Sequence, residues 1–73
     1  MSRLPALKSR QLIAALKKAG FSEARQSGSH CILKHPDGRE VVVPVHSRDL
    51  KRSTMKSIIK QAGLTVEELV TLL

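Results

Sequence analysis

Apolar residues recur along this chain in two rhythms, one helical and one alternating. Leu12, Ile13 and Leu16 keep helical spacing and predict a first helix over about Ser9–Ala19. Ser9 is placed to cap its first amides, and Lys17 and Lys18 sit in the last turn, where the helix dipole favours cations. Gly20 supplies the stop, and Phe21, the one aromatic residue, can fold back onto the helix end. A short first strand is expected over Glu23–Gln26. The rhythm then turns to alternation. Strand 2 is predicted over about Ser29–His35 and strand 3 over about Arg39–Val45, with the hairpin signal Pro36-Asp37-Gly38 between them.

The alternation also predicts a register. Val41, Val43 and Val45 must share one face. A three-residue loop, Pro36 to Gly38, sets His35 opposite Arg39, Leu33 opposite Val41 and Cys31 opposite Val43, which gives one apolar inner face. The outer face then pairs Lys34 with Glu40, Ile32 with Val42 and His30 with Pro44. Lys34 and Glu40 are charge-complementary across the strands. A two-residue loop would mix the faces. Pro44 cannot donate to a ladder, so strand 3 belongs at a sheet edge.

Helical spacing returns after residue 52. Met55, Ile58, Ile59 and Ala62 form the core stripe of a second helix over about Ser53–Ala62, which Gly63 ends. Thr65-Val66-Glu67-Glu68 is a capping box, opening a third helix toward Leu73 on the stripe Val66, Leu69, Val70 and Leu73. Residues 1–73 therefore read as one α+β domain: a helix, a three-stranded antiparallel sheet, then two C-terminal helices, with the helices on one face of the sheet.

Composition narrows the function. Seventy-three residues bury a small core. The single cysteine, Cys31, excludes an intrachain disulfide and suits a reducing, cytoplasmic setting. No Cys/His cluster has zinc spacing, so neither a metal nor a cofactor is expected. The start, Met1 to Lys8, lacks a signal-peptide run, and no stretch is apolar enough to span a membrane. Net charge is +7, and all 13 Lys and Arg precede residue 64. Against the four acids of that stretch this leaves +9, the electrostatic footprint of a nucleic-acid binder.

Within that basic stretch, Gly28-Ser29 delivers His30 onto the start of strand 2. Histidine is the side chain best suited to proton transfer near neutral pH. Gly28 allows close backbone approach to a phosphate, and the Ser29 hydroxyl can bond one. The plainer reading of the same residues is a turn followed by a surface strand histidine. His35 is five residues from His30, on the opposite face and about 17 Å along the strand, so it is expected to shape the hairpin. His46 is two positions beyond Pro44 on the outer face, and the register makes it a diagonal neighbour of His30 at roughly 7–8 Å and a candidate assistant. Lys34 can neutralise a phosphate or pair with Glu40. Arg52, Lys56 and Lys60 recur every fourth residue and can track an RNA backbone or simply face solvent. Cys31, on the inner face, reads as packing.

Four pieces occur in a specific order: Gly28-Ser29-His30, His35-Pro36-Asp37-Gly38-Arg39, Val43-Pro44-Val45-His46 and Ser57-Ile58-Ile59-Lys60-Gln61-Ala62-Gly63-Leu64. Together they resemble the HicA (YcfA-like) family over nearly the whole chain from the first helix onward. The resemblance implies a double-stranded-RNA-binding-domain-like fold and an mRNA interferase toxin neutralised by a HicB-type antitoxin. It places the family's catalytic histidine on His30. Two positions depart from the family pattern. Ser27 stands where lysine is common, and Arg52-Ser53-Thr54 stands where the second helix commonly opens with Pro-Gly-Thr.

Two other functions compete. One is a non-catalytic RNA-binding module on the same fold. The other is a helix-turn-helix DNA binder whose recognition helix would be Thr65–Leu73. That helix carries Glu67 and Glu68 and no base, so it would repel DNA phosphates. A stacking-type single-strand binder lacks its aromatic platforms.

Overall fold

The structure, a computed structural model, describes residues 3–73. Met1 and Ser2, part of the polar start, lie outside the described residues. The elements run α1 (Ser9–Lys18), β1 (Ser22–Ser27), β2 (His30–Lys34), β3 (Glu40–Pro44), α2 (Arg52–Gln61) and α3 (Val66–Thr71). The strands form one antiparallel sheet in the order β1-β2-β3. This is the α+β order expected from the patterning, with β3 at an edge as Pro44 requires.

The β2–β3 register is the expected one at every rung: His30 with Pro44, Cys31 with Val43, Ile32 with Val42, Leu33 with Val41 and Lys34 with Glu40. Cys31, Leu33, Val41 and Val43 are all buried on the inner face. They pack with Leu12, Ala15 and Leu16 of α1, Met55, Ile58 and Ile59 of α2, and Leu69 of α3 in one hydrophobic cluster. Ile32 is on the outer face yet is also buried. It lies on the central strand, flanked in register by Arg25 and Val42.

Two local expectations are corrected. Ser9 is not the cap of α1 but its first residue; Lys8 holds the cap position, and its N–H donates to Gln11 Oε1 at 2.9 Å. The Ser9 hydroxyl is buried instead and bridges to the end of β3. It donates to the Pro44 carbonyl at 2.5 Å and accepts the His46 N–H at 3.3 Å. The core also extends further toward the N-terminus than helical spacing indicated. Leu4 and Leu7 are buried beside Leu50. The Leu50 N–H donates to the Leu7 carbonyl at 2.8 Å, tying the first segment to the approach to α2.

The α3 capping box forms as read, with Glu68 N–H donating to Thr65 Oγ1 at 3.1 Å and Thr65 N–H to Glu68 Oε1 at 2.9 Å. His35 also has the expected role in the hairpin. Its ring packs edge-on against Phe21, with centroids 5.1 Å apart, and its Nδ1 accepts the Asp37 N–H at 3.1 Å. Among the described residues, no helix is long and apolar enough to cross a membrane.

Candidate functional site

His30 is exposed at the first position of β2, and the preceding turn explains how. Ser27 pairs with His30, so Gly28 and Ser29 form a two-residue hairpin loop. Gly28 has φ +57°, while Ser29 keeps a negative φ. Only the first central residue is left-handed, which is the type II′ pattern that favours Gly at that position. The Ser29 carbonyl accepts the Val45 N–H at 2.6 Å, so the loop is tied to the end of β3 as well. The Gly-Ser pair therefore has a structural reason to precede the histidine.

β3 forms the edge beside this loop. Hydrogen bonds from His35 N–H to the Arg39 carbonyl and from Val45 N–H to the Ser29 carbonyl show that the odd-numbered residues of this strand bond to β2. Glu40, Val42 and Pro44 therefore turn their backbone groups away from the sheet. α2 lies alongside this edge. Between them is an open depression of 390 Å³, lined by His30, Val42 and Pro44 from the sheet. From α2 it takes Ser53, Thr54, Ser57 and Gln61, beside the buried Ile58. Its volume falls in the range of about 300–1,000 Å³ typical of ligand clefts.

These α2 residues were not singled out by sequence patterning. At about 100° per residue, they occupy a polar stripe between the core stripe and the basic stripe of the helix. The signal was a run of small polar residues beside the core, which ordinarily reads as solvated surface.

Arg52, Lys56 and Lys60 occupy the adjoining stripe and are exposed. Among the described residues, the ion pairs formed by lysine and arginine involve Lys8, Lys17, Lys34 and Arg39, leaving this stripe's charges uncompensated by close acids. Lys34 lies on the same face of β2 as His30, but about 13 Å along the strand. Its Nζ is 3.6 Å from Glu40 Oε1, and both side chains are exposed, so the pair is weak.

His46 sits apart. The strand ends at Pro44, and His46 lines a different depression with Lys8, Ser9 and Arg10. Pairing with β2 runs one residue beyond Pro44, where the Val45 N–H donates to the Ser29 carbonyl, and the His46 N–H turns to Ser9 Oγ instead. Cys31 is buried, and its thiol donates to Glu23 Oε1 at 3.4 Å. Burial, then this bond to a carboxylate, pushes the thiol pKa up, which keeps it protonated and non-nucleophilic near neutrality. The same bond, followed by Lys17, holds the Glu23 pKa down. α3 carries Glu67 and Glu68 in its first turn and no base in its last, a poor surface for DNA phosphates.

Fold and site together define a small basic α+β protein that presents an exposed histidine, His30, between a hairpin loop and a cationic helix. The family model for the HicA toxin of bacterial toxin–antitoxin systems matches residues 9–64. The chain belongs to the HicA toxin family: it is the toxin of a toxin–antitoxin pair, and the family implies a cognate antitoxin as partner. The match spans the sheet, α1, α2 and every candidate site residue, and ends before α3. No curated protein matches the chain at a significant level.

Proposed function

We propose that this toxin is an mRNA interferase in which His30 moves a proton during cleavage of the RNA backbone. The observation that carries the proposal is the exposure of His30 on the wall of an open cleft beside the exposed cations of α2. RNA carries its own nucleophile. When the 2′-oxygen attacks the adjacent phosphorus, the 2′-hydroxyl loses a proton and the bond to the departing 5′-oxygen breaks. That oxygen takes up a proton, leaving a 2′,3′-cyclic phosphate and a 5′-hydroxyl. His30 either accepts the first proton or donates the second, with water completing the balance. This route needs no metal ion, so cleavage is expected to persist in a chelator.

Gly28 and Ser29 present backbone and hydroxyl groups to the phosphate beside His30. Arg52, Lys56 and Lys60 hold the flanking backbone, and Lys34 contributes from the far end of the strand. His46 assists only where bound RNA spans both depressions; an unchanged rate and pH profile in His46→Ala removes it from the scheme. The antitoxin is proposed to be of the HicB type, with an acidic surface suited to this basic face.

The test is expression of wild type and His30→Ala in a bacterial host, with growth and mRNA integrity followed together. A positioned histidine contributes about 10²–10⁴-fold, so purified His30→Ala should cleave RNA that much more slowly while still binding it. Retained cleavage and toxicity in His30→Ala would overturn the proposal. Binding without turnover in wild type would leave the non-catalytic RNA-binding module.

A further inference from the structure

The cleft beside His30 has a chemistry of its own. Among the described residues, its lining carries no ionisable side chain apart from His30. Neutral walls with several hydrogen-bonding groups suit a nucleobase better than a phosphate. Ser57 and Gln61 are one helical turn apart, and Gln61 Nε2 donates to Ser57 Oγ at 3.3 Å. That bond orients the amide and leaves its Oε1, its second N–H and the Ser57 O–H for a ligand.

The facing wall adds a second set. Val42 turns its N–H and C=O off the sheet edge, and no hydrogen bond among the described residues uses them. Val42 as a whole is 37 % exposed, one of two large hydrophobic residues so exposed among those described. An apolar surface, a backbone donor–acceptor pair and a primary amide thus surround one space.

We propose that Gln61, oriented by Ser57, reads the edge of an unpaired nucleobase next to the phosphate at His30, while Val42 contacts the base through its side chain and edge backbone. Unpaired bases are recognised by hydrogen bonds to their edges, and a glutamine amide offers adjacent donor and acceptor groups. Strand addition by a peptide is the competing use of this edge. It is disfavoured because Pro44 has no N–H and its carbonyl is already held by Ser9, leaving a short stretch to pair.

This assignment rests on the RNA-cleaving reading, and its test separates the two. Cleavage sites of wild type, Gln61→Ala and Ser57→Ala are mapped on an RNA pool randomised around the scissile bond. Wild type should show a base preference at one flanking position. Gln61→Ala should flatten that preference by about tenfold while cleavage continues, and Ser57→Ala should weaken it less. Gln61 is exposed, so its melting temperature should stay within about 3 °C of wild type. Continued cleavage with an unchanged preference in Gln61→Ala overturns the assignment and leaves His30 untouched.

Should wild type cleave no RNA, the function fails first. NMR titration with 2′-O-methyl oligonucleotides differing at one base then decides the cleft. Base-dependent shifts of the Gln61 side-chain amide and the Val42 N–H support it. Shifts confined to the α2 cations, or seen only with an antitoxin peptide, overturn it.

Discussion

Gly20 carries no side chain because His35 occupies the space one would need. Gly20 has φ +103°, and a Cβ built there would lie 2.7 Å from His35 Nε2. Gly28 also has a positive φ, but a Cβ there would meet nothing within 4 Å. The two positions therefore separate backbone strain from steric conflict. Both alanine variants should suffer the strain, on the order of 1–3 kcal/mol, and Gly20→Ala should lose more by displacing the His35 ring. For a domain of this size each kcal/mol is about 4–8 °C in melting temperature, so the difference is measurable by thermal denaturation. Equal melting temperatures would mean that His35 moves aside freely. Sequence patterning could place Gly20 at a helix end, because that depends on neighbours along the chain. It could not supply the His35 contact, nor the bridge from Ser9 to Pro44 and His46. Those depend on how the hairpin folds back over α1.

The β2–β3 hairpin is more than a carrier for His30, because its tip ties the sheet to both long helices. His35 reaches Phe21 at the end of α1, and the Arg39 guanidinium stacks over the same ring at 5.2 Å. Arg39 Nη1 also donates to the carbonyl of Ala62, the C-terminal cap of α2. Asp37 orients Arg39 by accepting its backbone N–H at 3.0 Å and its Nε–H at 2.8 Å. These bonds, the backbone one foremost, hold the Asp37 carboxyl below its ordinary pKa. A carboxyl whose pKa falls on folding stabilises the folded state above its unfolded value of about 3.9. That stabilisation is lost as pH drops through the depressed folded value. Asp37→Asn should therefore melt lower than wild type at neutral pH, and the two curves should converge in acid. A gap independent of pH would show that the carboxylate charge is not what holds Arg39. The register of this hairpin was readable because three constraints agreed: the valine alternation, the Lys34–Glu40 pair and the missing donor of Pro44. The reach of Arg39 to Ala62 was not, since local patterning does not show where the end of α2 comes to rest.

Charge is the property of the whole molecule that the fold arranges. The +9 carried before residue 64 is spread over several elements, whereas α3 is acidic in its first turn and has no base. The basic bias was visible in composition. Its division into a cationic stripe and a neutral cleft on one helix needed the packing of α2 against the β3 edge. That division predicts separate effects on RNA binding. Each cation that neutralises a phosphate releases condensed counterions, so the logarithm of affinity falls with the logarithm of salt by about 0.7 per contact on a single strand. Replacing Arg52, Lys56 and Lys60 together by glutamine should reduce that slope by about 2 and weaken binding to all sequences alike. On the proposal that the cleft takes a base and not a phosphate, Gln61→Ala should leave the slope unchanged. The measurement is fluorescence anisotropy of a labelled, non-cleavable oligonucleotide between about 50 and 200 mM salt, the range over which such slopes are resolved. A slope unaltered in the triple variant would mean that the RNA backbone runs elsewhere, over the Lys8 and Arg10 side of the sheet where His46 lies. The two outcomes thus also decide whether the proposed RNA would approach His30 across α2 or past the start of α1, at the same end of β3.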